Sequence, residues 1–429
     1  MSQKMRVSRR WFLKGALAAA AAPYMITSTA LGAGAIPAAS NRLTTGHIGI
    51  GNQGSGLFGS VLGNSSAQIL AVCDIRKWVR DRFQKSVEDR YAADRAAGTF
   101  KGCASYNDFY ELAARTDIDA VVIAVPDHWH AIITIEMAKS GKDIYCEKPM
   151  ALTVRQARAM VNAVRRYGRV YQNGSMQRSM AEFRKGCELV RNGRIGEVKT
   201  VNVNVGGPSS DKQFPEQPVP EGMDWNRWLG PAPWAPYNEE RCSGNYSGGW
   251  RLVRDYSGGM MTDWGAHHFD IAQWGLGMDE SGPVEIIPPD GKDVKLLTYK
   301  YANGVTMYHG GGGNGVLFTG TKGKIEVNRG YFKSYPDEIG LEPVGPGDLH
   351  LYKSTNHMVD WMECIKARRR PICDAEVGCR SVTVCHLGNI AFWLGRPIKW
   401  DPVKEEIIGD EAASRWLDRP MRAPWRLEA

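Results

Sequence analysis

The chain has 429 residues, a length that favours two domains over one. Its composition is that of an ordinary globular protein, with 43% hydrophobic and 23% charged residues. The net charge of +8 is concentrated at the N-terminus, because residues 1–40 contain five basic residues and no acidic one. The remaining 49 basic and 46 acidic residues leave a charge near +3, which gives no support to a nucleic-acid partner.

The first forty residues carry an export motif. Arg9 and Arg10 are followed by Phe12 and Lys14, and then by an alanine-rich stretch that leads into small residues at 33–35. This pattern resembles a twin-arginine export signal, which implies passage through the twin-arginine machinery to the periplasm or another extracytoplasmic compartment. The apolar stretch is about half of the ~20 residues that a spanning helix needs, so we expect no permanent membrane anchor.

Nine cysteines are scattered along the chain without any CxxC pair. An odd number cannot be fully paired within one chain, and the twin-arginine route carries folded proteins whose buried thiols need not form disulfides. We therefore expect Cys73, Cys146, Cys385 and the others to be small core residues. The spacing also argues against a zinc site built from cysteines.

From residue 46 onward, short apolar runs alternate with longer amphipathic stretches. This alternation predicts βαβ units and a parallel sheet with helices on both faces. The predicted strands are residues 47–51, 68–74, 119–126, 143–147 and 169–174, and the predicted helices include residues 78–97 and 154–168.

The pattern changes after residue 177. Residues 196–207 alternate like a half-exposed strand, and residues 295–311 predict two strands joined by a tight turn at Asn303-Gly304. This half therefore predicts an antiparallel sheet with helices at its margins, among them residues 357–370, before Pro371. Between residues 225 and 274, six tryptophans are interleaved with prolines and glycines. They suit either stacking on a sugar or a place in the core or in a lid.

A glycine-rich turn indicates dinucleotide binding. Gly49, Gly51 and Gly54 form a GxGxxG spacing between a predicted strand and a helix, and Asp74 ends the next strand twenty residues past Gly54. Glycine allows the tight turn and the close approach of backbone to a pyrophosphate, and the acid suits a ribose hydroxyl. The acid favours NAD over NADP, whereas Arg76 could pair with a 2′-phosphate and keeps NADP open.

The segment YCEKP, residues 145–149, directly follows a predicted strand. Ligands bind at the carboxyl ends of strands in an open α/β sheet, so Lys148 would project toward the cofactor. A lysine there can donate hydrogen bonds to a substrate hydroxyl and help to relay a proton. Without this context, Lys148 would be a solvated loop residue.

The segment DWGAHHFD, residues 263–270, places two histidines beside two aspartates. In a helix, Asp263, His267 and Asp270 share one face, whereas His268 points about 100° away. A carboxylate one turn from an imidazole can orient it and leave the other ring nitrogen as a base. A helix start with a hydrogen-bonded histidine is the structural alternative. We expect no metal, because a catalytic zinc usually needs three protein ligands and no HExxH motif is present.

Together with VPDHWH at residues 125–130 and GRIG at residues 193–196, these motifs resemble the Gfo/Idh/MocA oxidoreductase family from about residue 46 to residue 400. The resemblance implies an N-terminal Rossmann domain with a doubly wound parallel sheet, then a C-terminal α/β domain with a mostly antiparallel open sheet. That sheet faces the cofactor and serves in homo-oligomer contacts. The implied division is a signal region at 1–40, the NAD(P)-binding domain at 41–177 and the substrate-binding domain at 178–429.

The resemblance also implies a function and a set of site residues. Typical members pass hydride to a nicotinamide from a secondary hydroxyl of a sugar, sugar derivative or cyclitol. Carried over by position, Lys148 is the lysine of the EKP motif, Asp263 the acid that orients the histidine, and His267 the general base. His130 lies near the nicotinamide in relatives, and a packing role for it is equally open. The predicted cofactor contacts are Gly49, Gly51, Asn52, Gln53, Gly54, Asp74, Arg76, Pro126, His130, Glu147 and Lys148.

Export has a consequence for the chemistry. Little free nicotinamide exists outside the cytoplasm, so we expect a tightly bound cofactor that returns to its starting state. This favours two sugars processed in turn, or transient oxidation that assists cleavage of a glycosidic bond. The alternatives to a dehydrogenase are therefore a redox-neutral, NAD-dependent glycoside-cleaving enzyme and a non-catalytic sugar- or cofactor-binding protein of the same fold.

Overall fold

The computed structural model describes residues 42–246 and 248–427, so the export motif lies outside the described residues. The first part of the described chain forms a six-stranded parallel sheet in the order β3-β2-β1-β4-β5-β6. This order confirms the predicted Rossmann domain, and it places a switch point between β1 and β4, where ligands bind in such sheets. The strands are β1 (Leu43–Ile48), β2 (Ala67–Cys73), β3 (Ala104–Tyr106), β4 (Ala120–Ile123), β5 (Asp143–Cys146) and β6 (Tyr171–Asn173).

Six α-helices connect or flank these strands: α1 (Asn52–Leu62), α2 (Lys77–Arg90), α3 (Ala92–Ala96), α4 (Phe109–Ala113), α5 (Asp127–Lys139) and α6 (Val154–Arg166). The predicted helix at 78–97 is divided at Tyr91, which leaves helical geometry and packs its ring 5.1 Å from that of Phe100. Strand β1 begins at Leu43, ahead of the predicted run at 47–51, because Thr44 and Thr45 continue the pairing with β2.

The second sheet has nine strands in the order β13-β12-β11-β7-β10-β9-β8-β14-β15, and β7 and β10 are its parallel neighbours. The predicted hairpin at Asn303-Gly304 is confirmed: β9 and β10 are antiparallel, and Gly304 has φ +85° at the turn. The strands are β7 (Val198–Asn204), β8 (Glu285–Ile287), β9 (Leu297–Lys300), β10 (Thr306–His309), β11 (Gly315–Gly320), β12 (Lys324–Asn328), β13 (Tyr331–Tyr335), β14 (Ile398–Asp401) and β15 (Glu406–Ile407).

Helices cover one face of this sheet and bury a single apolar core that includes Phe183, Phe269, Phe318 and Leu387. One helix, α13 (His357–Ala367), instead packs on the Rossmann sheet, where Trp361 is completely buried. The helices are α7 (Ala181–Arg191), α8 (Trp225–Leu229), α9 (Glu239–Cys242), α10 (Met260–Asp263), α11 (Gly265–Leu276), α12 (Glu338–Leu341), α13 (His357–Ala367), α14 (Ala375–Leu394) and α15 (Glu411–Ser414), with 3-10 turns at Met176–Ser179, Gly249–Leu252 and Arg415–Leu417.

All nine cysteines are free thiols; eight of them are buried, as the sequence predicted, whereas Cys242 is only half-buried. Burial raises the pKa of the Cys103 thiol to about 12, so this side chain is inert at neutral pH. Within residues 42–246 and 248–427, none of the helices combines the length and the apolar character that crossing a bilayer requires.

The DWGAHHFD segment is not one continuous helix, because α10 ends at Asp263 and α11 begins at Gly265. Asp270 lies one turn from His267 on α11, as predicted, but its side chain does not join Asp263 and His267 in one site. Its carboxylate accepts hydrogen bonds from Arg178 Nε at 2.8 Å and from Arg178 Nη2 at 2.9 Å, with both side chains fully enclosed. Ser381 Oγ donates a further bond to Asp270 at 2.6 Å. Tertiary packing therefore directs Asp270 into a buried ion pair.

We expect Asp270→Ala to lower the free energy of unfolding by about 3–5 kcal/mol, because it leaves the Arg178 guanidinium buried with reduced compensation. The exposed pair between Lys77 and Asp81 provides the control, and Asp81→Ala should change stability by no more than about 0.5 kcal/mol. Urea unfolding of both variants measures the difference. Equal effects of the two substitutions would contradict the structural role of Asp270.

Candidate active site

A cavity of about 450 Å³ lies at the carboxyl edge of the Rossmann sheet. It runs from the glycine-rich turn after β1, past the end of β2, to the segment after β5. The predicted cofactor contacts that line it are Gly49, Gly51, Asn52, Gln53, Asp74, Arg76, Pro126, Glu147 and Lys148. Gly54 and His130 were also predicted to contact the cofactor, but they are not among the residues that line the cavity.

The glycine-rich turn has the geometry that a dinucleotide requires. Gly49 has φ +79°, and a Cβ there would lie 2.6 Å from the carbonyl oxygen of Ala124. A Cβ on Gly54 would lie 2.3 Å from the Gly49 carbonyl oxygen, so Gly54 allows α1 to pack against the turn. The N-terminus of α1 is thereby presented to the cavity, where its free N–H groups suit a pyrophosphate.

The two residues that bear on NAD or NADP binding form one ion pair. Asp74 Oδ1 and Oδ2 each lie 3.0 Å from the guanidinium of Arg76, and Oδ2 also accepts from Ile50 N at 2.9 Å. The Asp74 side chain is 3% exposed and that of Arg76 is 34% exposed. The buried carboxylate therefore stands at the end of β2, where a ribose hydroxyl of NAD would bind, and the residues present fit this cofactor.

The tryptophan-rich segment closes the cavity from the other side. We call residues 220–246 and 248–251 the tryptophan lid. Trp225, Trp228 and Trp250 are buried in a small core of their own, and Trp228 and Trp250 also line the cavity. Of the predicted set, these three tryptophans therefore belong to the lid, Trp274 is buried in the core of the second sheet, and Trp234 is 67% exposed.

The VPDHWH segment anchors this lid, a role that sequence reasoning missed. The carbonyl oxygen of Trp228 accepts hydrogen bonds from His128 Nε2 and Trp129 Nε1, both at 3.0 Å. The lid passes so close to Trp129 that a Cβ on Gly230 would lie 2.1 Å from its ring. Gly230 also has φ +50°, so this position favours glycine on two grounds.

Lys148 and Asp263 meet at the inner end of the cavity. Lys148 Nζ donates to Asp263 Oδ1 at 2.9 Å and to the Asp263 carbonyl oxygen at 3.0 Å. The two side chains are 13% and 6% exposed. Burial alone would raise the pKa of Asp263, but the charges of Lys148 and Arg251 outweigh it and hold that pKa below its ordinary value. Asp263 is therefore a carboxylate that holds the lysine in place.

His267 is buried beside this pair, yet it is not oriented by Asp263 as the sequence predicted. Asp263 Oδ1 bonds to Lys148 and Arg251, whereas His267 Nδ1 has no hydrogen-bonding partner among the described residues. Burial, followed by the charges of Lys148 and Arg329, lowers the pKa of His267 well below 6.5. The imidazole is therefore neutral and has an unoccupied ring nitrogen.

Two further side chains hold the His267 segment. The Gln177 amide donates to the His267 carbonyl oxygen at 3.0 Å and accepts from Arg329 Nε at 3.1 Å. Arg329 lies between β12 and β13 and stacks 4.8 Å over the ring of Trp264. No motif in the sequence indicated Arg329, because its position depends on the turn between β12 and β13, which is far from His267 in the sequence.

The other two histidines of the motifs have packing contacts. His130 places Nδ1 2.8 Å from the Pro149 carbonyl oxygen and Nε2 2.8 Å from that of Val125. Burial lowers its pKa to about 4. This geometry favours the packing role that the sequence left open. His268 is fully buried and stacks on Trp264 with ring centroids 5.6 Å apart.

The fold and this site define a two-domain protein with a dinucleotide-binding domain and a buried lysine–carboxylate pair. Residues 43–175 match the model of the oxidoreductase family's NAD-binding Rossmann fold, and residues 174–427 match that of its C-terminal alpha/beta domain. The chain belongs to the Gfo/Idh/MocA oxidoreductase family, whose Rossmann domain binds NAD.

Similar proteins include enzymes of two kinds. Inositol 2-dehydrogenase of Salmonella paratyphi B is 27% identical over 183 residues, which cover 42% of this chain and 50% of the relative. A glycosyl hydrolase family 109 protein of Shewanella sp. (strain ANA-3) is 30% identical over 207 residues, 44% of each chain. The chain thus spans no more than half of these relatives' length. The structure of aldose-aldose oxidoreductase from Caulobacter crescentus complexed with glycerol shares the fold, with a TM-score of 0.58, 21% identity, and coverage of 83% of this chain and 99% of that one.

Asp127, at the start of α5, is a buried carboxyl group that sequence reasoning did not single out. It is 1% exposed, and neither carboxyl oxygen has a hydrogen-bonding partner among the described residues. Burial raises its pKa to about 7; the nearby Ser257 hydroxyl, though outside hydrogen-bonding geometry, opposes the increase, as do the charges of Arg251 and Lys148, and the charge of Asp263 adds to it. Among residues 42–246 and 248–427, no group of three or more His, Cys, Asp or Glu side chains is arranged to hold a metal ion.

Asp127 should make the protein less stable as the pH rises. The folded state keeps the Asp127 proton up to about pH 7, whereas the ordinary pKa is 3.8. The stabilisation is therefore complete below the ordinary pKa and is lost as the pH rises through the folded value. We expect Asp127→Asn to raise the unfolding free energy by roughly 1–4 kcal/mol more at pH 8 than at pH 5.

Urea unfolding of parent and variant at both pH values checks this expectation. The exposed Asp293 offers a matched control, since Asp293→Asn should have the same small effect at either pH. An Asp127→Asn effect that does not vary with pH would show that this carboxyl is not kept protonated by burial.

Proposed function

We propose that the protein is an exported NAD-dependent oxidoreductase that transfers hydride between the nicotinamide and a secondary hydroxyl of a sugar, sugar derivative or cyclitol. The observation that carries the proposal is the buried pair of Lys148 and Asp263 at the end of the NAD cavity, with the neutral His267 beside it. The similarity to inositol 2-dehydrogenase supports a polyhydroxylated substrate.

Lys148, His267 and Asp263 have different roles in the oxidation of an alcohol. Lys148 uses two of its three N–H donors on Asp263, and the third is free to donate to the substrate hydroxyl oxygen. His267 accepts the hydroxyl proton through Nε2, because Nδ1 is enclosed by the protein. Bound NAD supplies the acceptor for the hydride at nicotinamide C4. Asp263 holds the lysine at the reacting oxygen, and this positional role replaces the one that was predicted for it toward His267.

The tryptophan lid supports retention of the cofactor. It contributes Pro220, Trp228, Tyr237, Trp250 and Arg251 to the cavity wall opposite the Rossmann sheet. Its attachment to His128 and Trp129 opposes opening. A cofactor carried out of the cytoplasm under such a lid would serve many turnovers only in redox-neutral chemistry.

A second function is an NAD-dependent, redox-neutral cleavage of glycosides. The similarity to glycosyl hydrolase family 109 proteins favours it. The same Lys148, Asp263 and His267 would then assist a transient oxidation, and elimination of the glycosidic bond would follow. Both functions use Lys148 and Asp263, so the oxidoreductase stands first on its similarity to inositol 2-dehydrogenase, in a form that oxidises one sugar and reduces another.

Incubation of the purified protein with NAD and a panel of sugars, cyclitols and aryl glycosides tests the proposal. Absorbance of reduced nicotinamide and release of the aglycone are followed together. We expect reduction with a polyhydroxylated substrate, and His267→Ala should slow it by about 10²–10⁴-fold because the proton acceptor is lost. The exposed His350 provides the control, since His350→Ala should keep the full rate.

Three other results of this experiment would change the proposal. Release of aglycone without net reduction would replace the dehydrogenase by the glycoside-cleaving enzyme. Binding of sugar or NAD with neither reaction would indicate a non-catalytic member of the family. A full rate in His267→Ala would remove His267 from the mechanism.

We also propose export through the twin-arginine machinery and a homo-oligomer formed through the open sheet. The export proposal rests on Arg9, Arg10, Phe12 and Lys14. Replacing Arg9 and Arg10 together by lysine should keep the protein in the cytoplasm of a bacterial host, which fractionation and immunoblotting would show. Arg6→Lys is the control that should leave export intact. Periplasmic recovery of the double variant would argue against this route.

A further inference from the structure

Arg251 lies between the catalytic pair and the part of the lid that covers the glycine-rich turn. It belongs to the 3-10 turn Gly249–Leu252, and its side chain is 8% exposed. The guanidinium carbon lies 4.4 Å from the ring centroid of Trp250 and 5.1 Å from that of Tyr246. The group is therefore held on two aromatic faces inside the cavity wall.

One side of the guanidinium contacts the catalytic pair. Arg251 Nε donates to Asp263 Oδ1 at 3.1 Å, and the same oxygen accepts from Lys148 Nζ at 2.9 Å. Arg251 and Lys148 therefore share one carboxylate oxygen. A change in the position of Arg251 alters the position and charge balance of the group that holds Lys148.

The other side contacts residues 243–246, which we call the covering loop. Arg251 Nη1 donates to the carbonyl oxygen of Asn245 at 2.9 Å and to that of Gly244 at 3.4 Å. Gly244 also accepts from Asn52 Nδ2 at 2.9 Å, at the start of α1. The loop thus closes over the helix N-terminus where a pyrophosphate would bind.

We propose that Arg251 is a positioning residue that couples closure of the covering loop over NAD to the placement of Asp263 and Lys148. Arginine suits this role because its planar guanidinium donates in several fixed directions at once, whereas the single nitrogen of lysine does not. The inference rests on NAD binding as in the proposed function. Coupling is reciprocal, so a change at Asp263 must alter the release of NAD, and opening of the loop must disturb Asp263.

A double-mutant cycle on cofactor release tests the coupling without any substrate. Protein loaded with NADH is mixed with excess NAD, and the loss of tryptophan-to-NADH energy transfer gives the release rate. We expect Arg251→Met and Asp263→Asn each to accelerate release by about tenfold. The double variant should release NADH no faster than Arg251→Met alone, because the effect of Asp263 passes through Arg251.

Two further variants separate coupling from a general loss of structure. Arg251→Lys keeps a positive charge beside Asp263 and should release NADH as fast as Arg251→Met. Arg254→Met removes a neighbouring guanidinium that stacks on Trp393 and Trp416 outside the cavity, and it should leave the release rate unchanged. Thermal unfolding of each variant establishes that it is folded, and Arg251→Lys replaces Arg251→Met in the cycle if the methionine variant does not fold.

The coupling is contradicted if Asp263→Asn leaves NADH release unchanged, or if the effects of the two substitutions multiply in the double variant. A release rate in Arg251→Lys equal to that of the parent would also overturn it, because charge alone would then suffice. Failure of the proposed function has a different signature. A protein that binds NADH and shows the coupling but oxidises no sugar would contradict the dehydrogenase and leave the role of Arg251 intact.

Discussion

The ion pair between Lys148 and Asp263 is the contact on which the site depends. It joins the segment after β5 of the Rossmann sheet to the end of α10 in the second domain, across 115 residues of sequence. Both side chains are nearly enclosed, so separating them would leave a charge buried with fewer partners, at a cost of several kcal/mol. The pair therefore links the two domains at the site, in addition to the packing of α13 and α14 on the Rossmann domain, and it sets the lysine at the inner end of the NAD cavity.

The same enclosure determines the protonation of the neighbouring groups. His267 lies close to the cations Lys148 and Arg329, so burial and charge both favour its neutral form. Asp127 is buried without a hydrogen-bonding partner among the described residues, and its carboxyl keeps a proton to about pH 7. Asp263 is nearly as buried but has two cations in contact, and it stays ionised. The two carboxyl groups are similarly buried, so the difference between their pKa values comes mainly from the cations in contact with Asp263.

The lid gives the cavity its second wall and connects it to the pair of Lys148 and Asp263. Its tryptophans form a small core that would be unstable as an isolated segment, so the lid depends on the Rossmann domain through His128 and Trp129. Arg251 then reaches from this lid to Asp263. A cofactor held between these walls would contact the residues that we propose to act on the substrate.

The sequence by itself determined the Rossmann domain, the hairpin at Asn303-Gly304 and nine of the residues that line the NAD cavity. These features depend on local patterns: alternating apolar runs, glycine at positive φ, and residues that follow strands of a parallel sheet. Only the tertiary structure decided which residues contact Asp263 and that Asp270 pairs with Arg178. It also decided the packing role of His130 and brought Arg251 and Arg329 close to the site. Helical spacing shows which side chains share a face, but the choice among their charged partners is made by residues that are distant in the chain and close in the fold.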